Sequence, residues 1–194
     1  RDKTPEEFYG QIDLINQVMD ALQIPSIEVD GYEADDIVAT MSTSAAEAGW
    51  DARIVSGDRD TFQLIKDNVT VLYPMRGVSE LPPFDADAIV ERYGVTPLQY
   101  PELAALVGES ADNLPGVPGV GPGFAARWLK KYGSLKGILD NIDDIGGKKG
   151  EALRENLDQV KRNRELNALV TNLELPITLD EAILVNPDRN MVSE

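Results

Sequence analysis

From Phe8 onward, the apolar residues Phe8, Ile12, Ile15, Val18, Met19 and Leu22 recur at helical spacing, which predicts a helix over residues 5–22. Thr4 reads as its N-cap and Pro5 as its first helical position. The pattern then shortens. "IPSIEV" predicts a strand from Ser26 to Val29, and residues 33–48 predict a helix that Gly49 ends. "DARIVSG" predicts a strand over residues 51–56, apolar on both sides of the pleat as in a buried sheet. "DTFQLI" predicts a short helix and "VTVLYP" another strand. Strands alternating with helices imply an α/β layer with a largely parallel sheet.

After Asp85 only helical periods remain, in "DADAIVERYG", "YPELAALVG", "GFAARWLKKYG", "SLKGILDNI" and "EALRENLDQVKRNRELNALV". The tail beyond Leu175 holds a short apolar run, "AILV", and then polar residues that read as disordered. The expected division is an α/β core over residues 1–84, a helical half over 85–176 and a tail over 177–194. No internal repeat is visible.

Composition narrows the chemistry. The chain has 194 residues, enough for one ordinary domain with a core that needs no metal or disulfide to fold. It contains no cysteine and no histidine. That removes disulfides, thiolate sites, the usual general base and every Ser-His or Cys-His pair. Any metal must be held by oxygen, which favours Mg²⁺, Mn²⁺ or Ca²⁺. There is no run of about 18 apolar residues, so no membrane span is expected, and no signal peptide is visible. The first residue is Arg1 rather than Met, which reads as a piece of something longer.

The net charge of −16 by itself argues against a phosphate-binding protein. Its distribution argues the other way. Between Val120 and Arg164 there are 10 Lys or Arg against 6 Asp or Glu, so the remainder of the chain carries −20. Such asymmetry fits a basic face beside an acidic pocket.

Three acidic runs supply that pocket. In "GYEADD", Glu33, Asp35 and Asp36 fall in the first turn of a helix, with Glu33 and Asp36 on one face. In "SGDRDTF", Asp58 and Asp60 follow a strand end, where open sheets place their sites; they point the same way if the segment stays extended. In "GESADNLPG", Glu109 and Asp112 form the third run. A pocket with this many carboxylates needs cations. A pair of divalent ions is a known solution for phosphodiester hydrolysis, one activating water and the other steadying the leaving oxygen.

Glycines 116, 119 and 121 in "LPGVPGVGPGFAARWLKKYGSL" lie between two predicted helices. The spacing is that of a helix-hairpin-helix, which brings backbone N–H groups to a phosphate without reading sequence. Arg127, Lys130 and Lys131 follow on the second helix.

In their order and spacing, "GYEADD", "SGDRD" and "ESADNLPGVPGVG" resemble the bacterial 5′ nucleases. These are the flap endonucleases and the 5′→3′ exonuclease domain of DNA polymerase I. The resemblance runs from about Thr4 to Pro176. It implies an α/β, PIN-like, mostly parallel sheet core and a helical half with a DNA-clamping hairpin of the helix-three-turn-helix type. It also implies a divalent-metal-dependent enzyme cutting DNA at single-strand/double-strand junctions of 5′-flap, nicked or 5′-overhang duplexes, in replication and repair.

By the same resemblance, Glu33 and Asp35 serve the catalytic metal. Asp36, Asp58, Asp60 and Asp112 serve the second, directly or through water. Glu109 stands where relatives often have Asp, as a further candidate ligand. Gly116, Val117, Gly119, Val120, Gly121, Arg127, Lys130 and Lys131 hold DNA. The implied cofactors are two Mg²⁺ or Mn²⁺ ions, with a K⁺ ion between hairpin carbonyls and a phosphate. The implied setting is a bacterial cytoplasmic, nucleoid-associated monomer.

The chain departs from the family where "GVGPGFA" puts Pro122 without an N–H and Phe124 in place of a threonine. It also lacks the family's first strands and most of its arch. "RDKTPEEF" resembles the arch's end, with Arg1 as its visible cation. The tail, with no further domain, favours a stand-alone member. The rival expectation is a non-catalytic, junction-specific DNA-binding fragment. A Ca²⁺-binding acidic protein does not account for the hairpin, and there is no twelve-residue EF-hand loop.

Overall fold

The structure is a computed structural model that describes residues 6–75, 77 and 79–185. Thr4, Pro5 and Arg1, read above as cap, first helical residue and arch cation, lie outside the described residues, as does the end of the tail from 186. Helix α1 (Glu6–Ala21) forms where the apolar period predicts it. Its apolar side chains are nonetheless exposed, Ile15 and Val18 at 55% each, and no described element packs extensively against them. Helix α2 (Ala34–Glu47) follows.

The predicted strand Ser26–Val29 does not form, because no ladder partner for it exists among the described residues. Strands β1 (Ala52–Val55) and β2 (Val69–Leu72) pair in parallel, with Ile54 opposite Val71. Strand β3 (Pro83–Phe84) adds to β2 antiparallel, giving the order β1-β2-β3. The segment joining β1 and β2 is a 3₁₀ helix, Arg59–Leu64, rather than an α-helix.

The helical half comprises α3 (Ala86–Tyr93), α4 (Tyr100–Val107), a small hairpin of β4 (Gly108–Glu109) and β5 (Leu114–Pro115), α5 (Pro122–Tyr132), α6 (Leu135–Asp140), α7 (Gly147–Glu155) and α8 (Leu157–Leu166). The single helix predicted over "EALRENLDQVKRNRELNALV" is thus two. Asn156 separates them, its side-chain amide donating to the Ala152 carbonyl at 2.8 Å in competition with the helical ladder. Among the described residues no helix is long and apolar enough to cross a membrane.

One core joins the halves. Fully buried Phe62 stacks on Phe84 at 5.2 Å and meets Tyr100 edge-on at 5.2 Å, with Tyr73 and Tyr93 around it. This aromatic nest fixes the 3₁₀ helix to the sheet and to α3 and α4. Buried Asn163 of α8 donates to the carbonyls of Ala105 and Pro115, which ties α8 to α4 and β5. The chain then returns as a strap. The Val170 carbonyl accepts from the Thr40 hydroxyl, and the Leu173 amide donates to the same oxygen of Thr40. Gln63 donates to the carbonyls of Asp60 and Asn167 at 2.8 Å each.

Candidate functional site

The first acidic run enters the site through its helix cap. Glu33 is the N-cap of α2, and with Asp36 it forms a reciprocal capping box. Asp36 accepts from the Glu33 amide at 3.4 Å and from the Val170 amide of the strap at 2.8 Å. Both of its oxygens therefore have backbone partners. Asp35, half-buried between them in sequence, feels the charge of Asp58 in the second run. Its carboxyl is pushed up from the ordinary range by burial and then by the charges of Asp58, Glu33 and Asp36.

The second run is not extended, so the condition under which Asp58 and Asp60 would point the same way is not met. Asp58 caps the 3₁₀ helix, accepting from the Asp60 amide at 2.9 Å, because a short Asp side chain can close this turn on itself. Asp60 lies in the first turn. Phe62, two residues on, anchors that turn in the aromatic nest. Burial, followed by the charges of Glu109, Asp58, Asp112 and Asp35, pushes the Asp60 carboxyl up to about 8.

The third run sits on the β4–β5 hairpin, which sequence patterning did not predict. Two glycines make that hairpin possible. A Cβ on Gly116 would collide with the Val107 carbonyl, and one on Gly108, at φ +81°, would collide with the Gly116 amide. The hairpin delivers Glu109 and Asp112 to the cluster. Burial raises the Glu109 carboxyl, Asp112 and Asp58 raise it further, and Arg59 opposes them.

Five carboxylates from three separated segments thus interact: Asp35, Asp58, Asp60, Glu109 and Asp112. Glu33 stands at their edge, and Asp36 is turned to the backbone. Buried Asp60 Oδ1 and Glu109 Oε2 have no hydrogen-bond partner among the described residues. As placed, no three of the described acidic side chains close into a group able to hold a metal ion. Mutual repulsion accounts for such an open arrangement. The donor set, all oxygen with two orphaned buried acceptors, still fits a hard divalent cation.

Beside the cluster lies a cavity of about 740 Å³. Asp58, Glu109 and Asp112 line it together with Arg59, Tyr73, Arg92 and Tyr93 and with Pro122 and Gly123 at the start of α5. The Arg59 Nε donates to the Tyr73 hydroxyl at 3.3 Å. Arg59 is not among the site residues expected above, although it stands between Asp58 and Asp60, and a cation inside an acidic motif was the available signal.

On the helix-hairpin-helix, Val117 and Val120 point into the core. Their amides donate to the carbonyls of Leu106 and Val117 at 2.9 and 3.0 Å. Gly119 and Gly121 are exposed, and Gly121 is the N-cap of α5 with no side-chain cap. Arg127, Lys130 and Lys131 are exposed on α5.

Comparison with known proteins shows the family. Residues 1–94 match the model of the 5′-3′ exonuclease N-terminal resolvase-like domain, and residues 95–190 that of the 5′-3′ exonuclease C-terminal SAM fold. DNA polymerase I of Mycobacterium tuberculosis (strain ATCC 25618 / H37Rv) is 51% identical over 192 residues, covering 99% of this chain and 21% of that protein. The chain therefore spans about a fifth of the length of such curated relatives. The T5 D15 protein co-crystallised with metal ions has the same fold, with a TM-score of 0.72 at 24% identity over 88% of this chain and 65% of that one. The catalytic core of Rad2 in complex with DNA substrate gives a TM-score of 0.61 at 17% identity, over 99% and 64%. With both halves matched in order and the polymerase relatives aligned along almost its whole length, the chain belongs to the 5′-3′ exonuclease family.

Proposed function

We propose that this chain is the nuclease portion of a divalent-metal-dependent 5′→3′ exonuclease and 5′-flap endonuclease, hydrolysing DNA phosphodiesters where single strand meets duplex. The observation that carries the reading is the meeting of five carboxylates, two with orphaned buried oxygens, beside an uncapped hairpin helix. The fold relatives add support, one having been crystallised with metal ions and the other with DNA substrate.

Asp35, Asp58, Asp60 and Asp112 would hold Mg²⁺ or Mn²⁺, with Glu33 and Glu109 beside them. The ions, when bound, supply the charge that eases proton loss from water and steadies the leaving oxygen. Asp36 contributes negative charge from behind, while its oxygens fix α2 to the strap. With its carboxyl raised to about 8, Asp60 carries a proton at neutral pH and must release it for a cation to be held there. The Arg59 guanidinium, steadied by Tyr73, faces the cavity and suits a phosphate oxygen. The hairpin grips the duplex through the backbone at Gly119 and Gly121 and through Arg127, Lys130 and Lys131. Gly116, Val117 and Val120 shape that loop, whose backbone would hold a K⁺ ion that supplies positive charge for a phosphate.

Titrating Mg²⁺ or Mn²⁺ into the chain with a 5′-flap duplex tests the reading. Cleavage is expected to rise with metal and to fall at least about a hundred-fold in Asp58→Ala with duplex binding kept. Binding without cleavage across the whole titration would leave a non-catalytic DNA-binding fragment instead.

A further inference from the structure

The Arg127 guanidinium lies 4.7 Å from the Phe124 ring centroid, and the Lys149 ammonium lies 4.7 Å from the same centroid. Phe124 is itself held edge-on against buried Trp128 at 5.4 Å. The two cations therefore stand no further apart than twice that first distance. They come from different helices, Arg127 from α5 and Lys149 from α7. Neither has a carboxylate partner among the described residues, although the chain carries −16.

Two other cations of this half are engaged. Lys136 pairs with Asp140, and Arg154 donates to the carbonyls of Ile142 and Ile145 at 2.9 and 3.1 Å. Those two bonds, together with Gly150, whose Cβ would collide with the Ile145 carbonyl, hold rigid the turn that carries Lys149.

Two like charges beside one ring repel each other. An anion between them removes the repulsion. We propose that Phe124, Arg127 and Lys149 form a second phosphate grip, in which an aromatic ring presents two cations from separate helices to the backbone of duplex DNA. This inference rests on the nuclease reading and extends the DNA-holding surface from α5 onto α7. Phe124 acts as a positioning residue, and the two cations touch the phosphates.

The test is fluorescence anisotropy of a labelled 5′-overhang duplex with the chain in EDTA, at salt concentrations spanning a few-fold. Lys149→Gln and Arg127→Gln should each flatten the dependence of log affinity on log salt by about one, as loss of one phosphate contact does. Phe124→Leu keeps both charges and the packing on Trp128. It should weaken binding roughly two- to five-fold, with its Tm monitored to confirm folding. Lys136→Gln, which removes an already paired charge, should change the slope much less. A Lys149→Gln slope and affinity equal to the parent's, or a Lys136→Gln loss as large as that of Lys149→Gln, would overturn the grip alone. A parent chain that binds no duplex would overturn the nuclease reading as well.

Discussion

Around Asp60, burial gathers five carboxylates, Arg59 opposes the charge at Glu109, and two buried oxygens have no donor among the described residues. On α6 and α7, three cations are given partners: Arg154 has two carbonyls, Lys136 has Asp140, and Lys149 has an aromatic ring. One region is held in place by backbone constraint against its own charges. The other is held partly by its charges. Removing a charge should therefore have opposite signs in the two places.

The largest effect should come from the constraint itself. Gly116→Ala forces a Cβ into the Val107 carbonyl, with the Gly108 amide nitrogen 2.7 Å away. It should cost about 4 kcal/mol, at the far end of single substitutions, read as a Tm loss of about 10 °C. A small loss would mean that the acidic hairpin is not held by close backbone approach. Next, Arg154→Met strips the Ile142 and Ile145 carbonyls of a charged donor and should cost about 2–3 kcal/mol by chemical denaturation.

Asp60→Asn should go the other way. Because folding raises the Asp60 carboxyl from 3.8 to about 8, its contribution to stability is fully present below about pH 4 and is lost as pH rises through about 8. The metal-free parent should therefore melt lower at pH 9 than at pH 5. Asp60→Asn should recover about 1–2 kcal/mol at pH 9, a figure discounted for the part of the side chain that stays in water. Destabilisation at pH 9 would erase the contrast between the regions. Smallest of all, Lys136→Ala breaks a pair whose side chains are 83% and 57% exposed, and should shift stability by less than about 0.5 kcal/mol in a denaturant midpoint.

Much of this was legible in the residues. The α/β half, the helical half and the carboxylates of the three acidic runs follow from period and spacing. What was not legible depended on partners distant in sequence. Ser26–Val29 has the composition of a strand, yet a strand requires a neighbour, and the described chain offers none. Asp36 reads like its neighbour Asp35, yet an amide 134 residues away in sequence occupies one of its oxygens. At the break, the Asn156 side-chain amide shares the Ala152 carbonyl with its own backbone N–H, a local contact that apolar periodicity does not register. Arg59 was hidden by the acids on either side of it.

The strap has a practical corollary for anyone cutting this protein down. A piece stopping at Leu166 would retain every acid of the cluster and the entire hairpin. It would forfeit the Leu169 and Val170 amides and the carbonyls of Asn167 and Val170 that engage Gln63, Asp36 and Thr40. The shortest excision that preserves these stitches, together with the Leu173 amide's bond to Thr40, runs through Leu173.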